Sequence, residues 1–62
     1  MEGEEVLQVR EALGETQRAF AERVGVATNT VTRWENGVVP VGKTAAILIR
    51  LLKEHHDKEN VR

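Results

Sequence analysis

The sequence has no cysteine, no serine and no tyrosine, and a single residue each of tryptophan, phenylalanine and proline. Without cysteine, neither disulfides nor a cysteine-based zinc site can staple the fold, which fits a reducing compartment. Threonine is the only hydroxyl side chain left, and no glycine-rich phosphate loop is present. The two histidines, His55 and His56, are adjacent, so on a helix their side chains point about 100° apart. With no further ligand near them they read as a solvated helix end, and no metal or other cofactor is expected. An enzyme is therefore not expected. Long apolar runs are missing as well: Ala45 to Ile49 is the longest, against about 20 residues for a membrane span. Glu2, Glu4 and Glu5 stand where a secretory leader would be basic. These absences together predict a soluble, cytoplasmic domain with no membrane association.

What is present is charge, unevenly distributed. The 62 residues sum to −1, which at first sight argues against a nucleic-acid partner. Residues 1–15 carry −4, residues 16–53 carry +4, and residues 54–62 carry −1. Fields beyond about 8 Å are screened at physiological salt, so the local sign matters more than the total. The middle of the chain is basic. The early glutamates read as a solvated helix start that suits the positive helix N-terminus.

Periodicity places four helices. Val6, Val9 and Leu13 make a one-faced stripe over Glu4 to Leu13, and Gly14 supplies a left-handed stop. Thr16 is a good N-cap for a second helix from Gln17 to about Val24, although Ala19 stands where a glutamate would complete a capping box. Gly25 frees the backbone to turn. A third helix covers about Thr28 to Asn36, with Val31 and Trp34 on one face and a poor cap at Ala27. Trp34 at this spacing is read as core and not as a base-stacking ring. Pro40 keeps Val38 to Gly42 a loop.

A fourth helix follows from about Lys43 to His55, with more apolar residues than one face can hold. The surplus is either Ile49 and Leu52 or Ile47 and Leu51. It is either a homodimer contact or a surface wrapped by the first helix and the loop. The domain is expected over residues 4–55, with residues 56–62 as a frayed tail. A chain this short buries only about 60% of its unfolded surface, so local helix packing or oligomerisation must supply stability.

The segment TQRAFAERVGVATNTVTRWENG, residues 16–37, resembles the Cro/C1-type (XRE-family) helix-turn-helix domain of phage and bacterial repressors. The matching features are Thr16-Gln17, Phe20-Ala21, Val24-Gly25-Val26, Thr30-Val31 and Arg33 to Gly37, and the likeness extends over about Val6 to Leu52. It implies an all-α, compact four-helix lambda-repressor-like fold, with a short fifth helix as an open alternative. It also implies a DNA-binding transcriptional regulator, expected to be a dimeric repressor on half-sites about 34 Å apart.

By the resemblance, the third helix enters the major groove and Thr28, Asn29, Thr32 and Arg33 read base edges. Asparagine suits adenine, arginine suits guanine, and a threonine methyl can meet the thymine methyl. Gln17, Thr30, Asn36 and Lys43 are then the phosphate contacts, while Arg10 and Glu35 form a scaffold ion pair. The apolar stretch Val38 to Val41 departs from relatives that carry basic residues there. The partners expected are double-stranded DNA and a second copy of the chain. The alternative is a protein-interaction module, such as an antitoxin-type regulator, that binds a protein partner through the fourth helix.

Overall fold

Short helices need definite ends, and this chain writes them with glycine and threonine. Gly14 follows the first helix at φ 69°, and Gly25 follows the second at φ 84°, a backbone region that strains any residue with a Cβ. Around Gly25, the Gly25 and Val26 amides both return to the Ala21 carbonyl, at 2.8 and 3.0 Å, so the helix closes and turns within two residues. The Thr16 hydroxyl accepts from the Ala19 amide at 3.1 Å and fixes the start of the second helix.

The computed structural model describes residues 1–60 and is helical in four segments: α1 Gly3–Leu13, α2 Gln17–Val24, α3 Thr28–Glu35 and α4 Lys43–Asn60. No strand and no fifth helix occur among the described residues. The core is shared evenly. Val6 and Val9 come from α1, Phe20 and Ala21 from α2, Val31 and Trp34 from α3, and Ala46 and Ile49 from α4. Leu13, Val24, Val26, Val41, Ala45 and Leu52 close around them, half-buried. α2 packs on α3, α1 lies against both α3 and α4, and α2 also touches α4. No helix can be removed without exposing the faces of two others.

The start of α1 is seated directly on the end of α3. A Cβ built at Gly3 would stand 1.9 Å from the Trp34 carbonyl oxygen, so only glycine fits. This brings the positive end of one helix to the negative end of another.

One expectation from the sequence needs correction, and one open alternative is resolved. The fourth helix does not stop at His55: the segment expected to fray from residue 56 is helical as far as Asn60. Residues 56–60 hold neither glycine nor proline, and an i,i+4 contact between His55 and Glu59 at 2.5 Å spans the added turn. The rest of that expected tail, residues 61 and 62, lies outside the described residues. The apolar surplus of α4 is also decided. Ile49 is fully buried and Leu52 half-buried, whereas Ile47 and Leu51 are 51% and 56% exposed. Ile49 belongs to the single core, one turn from Ala46, and Ile47 lies on the opposite side.

Candidate nucleic-acid interface

The site is built on the pair α2 and α3. Val31 and Trp34 turn one side of α3 into the core, with Trp34 only 5% exposed, so its ring is a wedge between helices and not a stacking platform. Helical geometry then places Thr28, Asn29, Thr32 and Arg33 on the far side. Thr28, Asn29 and Arg33 are exposed there, and Thr32 is half-buried. Thr30 is half-buried on a flank of α3, and Asn36 and Lys43 are exposed. Ala27 precedes α3 in extended conformation and offers no side-chain cap, so the first amides of the helix have no side-chain partner there.

Beneath this face lies a polar network. Arg10 donates from Nε to Glu35 Oε2 at 2.7 Å and from Nη2 to Oε1 at 3.1 Å, a two-pronged ion pair joining α1 to α3. Its Nη1 donates to the Glu15 carbonyl at 3.0 Å, tying in the α1–α2 turn. Gln17 Nε2 donates to Glu35 Oε1 at 3.0 Å, and the Thr32 hydroxyl donates to Gln17 Oε1 at 2.9 Å. Burial pushes the Glu35 carboxyl up. The hydrogen bonds from Arg10 and Gln17, with the Arg10 charge, outweigh it and hold the group below its ordinary range. The hydrogen bond to Glu35 correspondingly raises Arg10, against the opposing effect of burial. The scaffold pair expected between Arg10 and Glu35 is present.

Cations of α2, α3 and the start of α4 divide into two kinds. Arg23 forms a close pair with Glu15, at 2.5 to 3.0 Å, which lowers the Glu15 carboxyl. Arg18 pairs with Glu22 one turn on, at 3.6 Å in full solvent. Arg33 and Lys43 make no ion pair with any described residue. A positive group left free on an exposed helix face is available to an anion.

Of the eight residues singled out from sequence, the structure brings Gln17 and Thr32 into contact and leaves Thr28, Asn29, Arg33, Asn36 and Lys43 exposed. Thr32 hydrogen bonds inward, a role the sequence reading missed. No motif encodes it, because it depends on how α2 crosses α3. No group of histidine and carboxylate side chains that could hold a metal occurs among the described residues. No described helix is long and apolar enough to cross a membrane.

Two short helices joined by a tight glycine turn, the second outward-facing and polar, define a helix-turn-helix DNA-binding domain. A family model described as helix-turn-helix matches residues 6–58, and the chain belongs to that family, of the Cro/C1 (XRE) type. The family is one of DNA-binding regulators and is generally non-enzymatic. No curated protein and no solved structure matches the chain.

Proposed function

We propose that this domain is a sequence-specific transcriptional repressor that reads the major groove with α3 and acts by occupying its operator. The observation that carries the reading is the exposed face of α3, where Asn29 is exposed and Arg33 stands without an ion pair while Arg18 and Arg23 of α2 have theirs. Arg33 suits guanine and Asn29 suits adenine, with Thr28 and Thr32 beside them for thymine methyls. Gln17 at the N-terminus of α2, Thr30, Asn36 and Lys43 would contact phosphates and set the docking register.

The net charge of −1 argues that one copy binds weakly, and two copies would double the basic surface. The exposed pair Ile47 and Leu51 on α4 is the surface we assign to that dimer. Such a dimer would act in the cytoplasm, on half-sites one helical turn apart.

Enrichment of bound sequences from a random duplex pool tests this directly. Asn29→Ala and Arg33→Ala should each cost about 1–3 kcal/mol on the selected site and relax preference at one position. Gln17→Ala should weaken all duplexes alike, and affinity should fall steeply with salt. No enrichment, or a flat salt response, would remove the reading. Sedimentation at micromolar concentration should show dimers.

A second reading is favoured by the exposed Val38, Ile47 and Leu51: an antitoxin-type or other interaction module that binds a partner protein. A pure protein binder would keep its partner and its phenotype in the Asn29→Ala, Arg33→Ala double variant.

A further inference from the structure

We infer that Thr32 is a positioning residue that locks the Gln17 amide between α2 and α3, with its hydroxyl proton directed inward, away from the bases; this rests on the DNA-binding reading above. The polarity of the network forces the assignment. An ionised carboxylate only accepts, and both Glu35 oxygens already receive Arg10, at 2.7 and 3.1 Å. The end of Gln17 that lies 3.0 Å from Glu35 Oε1 is therefore its NH2 group. Its carbonyl oxygen is left at the other end, 2.9 Å from the Thr32 hydroxyl. That oxygen is acceptor-only, so Thr32 must donate. The single hydroxyl proton has one other acceptor, the Thr28 carbonyl at 3.3 Å, which is the poorer of the two.

The donors thus run in a fixed direction: Arg10 to Glu35, Gln17 to Glu35, and Thr32 to Gln17. Three consequences follow. The Gln17 amide plane is pinned at both ends, although its terminal torsion is intrinsically broad. One of its two NH2 protons is held by Glu35 and the other stays available to a phosphate oxygen. Thr32, with its proton committed, meets a base only through its methyl group or as an acceptor. Gln17 is then ordered before DNA arrives, and the cost of ordering a long side chain on binding is avoided. Hydrogen-bond donation to base edges at α3 then falls to Thr28, Asn29 and Arg33, with Thr32 left its methyl contact.

The test uses the sequence enriched from the random duplex pool and a panel of its single-base-pair variants. Thr32→Val keeps the shape and removes the hydroxyl. It should weaken binding about 3- to 10-fold, by the same factor on every duplex of the panel. Thr32→Ser keeps the hydroxyl and should recover the uniform loss, differing from the parent at no more than the one base pair its methyl would meet, and Thr32→Val should have no further effect in a Gln17→Ala background. A Thr32→Val effect confined to one base pair, or full additivity of Thr32→Val with Gln17→Ala, would overturn the inference. In the free protein, the Gln17 side-chain NH2 resonances should be shifted and slowly exchanging in the parent and in Thr32→Ser. In Thr32→Val they should collapse toward those of a free amide, and resonances unaltered by that substitution would sink the clamp without reference to DNA. Parent protein that enriches no duplex overturns the DNA reading and the binding role of Thr32 with it.

Discussion

α2 and α3 are equal in length, and each gives two residues to the core, yet they are stabilised differently. α2 looks after itself. Thr16 caps it, its cations are paired, and Gly25 ends it. α3 has no side-chain cap, carries threonines that lower helix propensity, and leaves Arg33 unpaired. It is held instead by others: Arg10 and Gln17 grip Glu35, and Gly3 of α1 abuts the Trp34 carbonyl. The contrast suits the role proposed for α3: its outer face leaves Arg33 free of ion pairs, and the stability of the helix is supplied from behind.

Packing is where the two helices should behave alike. Phe20→Ala and Trp34→Ala should each cost about 3–5 kcal/mol, comparable with the ~3–9 kcal/mol expected for a chain of this size. Urea unfolding by circular dichroism should find both variants largely unfolded. A much milder loss at Trp34 would mean that α3 is not a full partner in the core.

The dependence of α3 on α1 gives the next effect. In an ordinary helix, alanine is about 1 kcal/mol better than glycine. Gly3→Ala should do the opposite here and destabilise by about 1–3 kcal/mol, because its Cβ would meet the Trp34 carbonyl at 1.9 Å. Trp34 fluorescence during urea unfolding reports the change. A more stable Gly3→Ala would break the claim that α1 is seated on α3.

Acid should loosen α3 in a defined direction. Burial raises the Glu35 carboxyl, but bonds from Arg10 and Gln17 win and its native pKa lies below the ordinary 4.5. A depressed carboxyl adds stability that is complete above 4.5 and is lost as pH falls through the native value. The stabilities of parent and Glu35→Gln should therefore differ most near neutrality and converge in acid. Parallel curves would show that the charge of Glu35 does not support α3.

The caps carry the smallest effects and the sharpest contrast. Thr16→Ala should remove about 1 kcal/mol from α2, whereas Ala27→Ser should add a similar amount to α3. Thermal melts would measure both. If Ala27→Ser were neutral, the first turn of α3 would already be satisfied from elsewhere.

Much of this fold was legible in the sequence. The start of α2 and the stops after Leu13 and Val24 follow from single residues, Thr16, Gly14 and Gly25. The inward stripe from Val6 to Trp34 follows from helical spacing. The end of α4 was less legible, because residues 56–60 carry no stop signal and continuation there rests on i,i+4 contacts. The candidate site was legible as a set of positions and not as a set of roles. Asn29 and Arg33 are exposed as their spacing requires, but nothing local announces that Thr32 turns toward Gln17.

By itself the sequence determined the four helices, the glycine turn between α2 and α3, and which side of each short helix is apolar. Those features rest on backbone preferences and on side-chain period, both of which act within a turn or two. Only the tertiary structure decided which surplus face of α4 stays exposed, why Gly3 admits no side chain, and how Thr32, Gln17, Glu35 and Arg10 connect. The hydrogen bonds of that network join residues 15 to 25 positions apart, so they exist only once the helices have crossed at fixed angles.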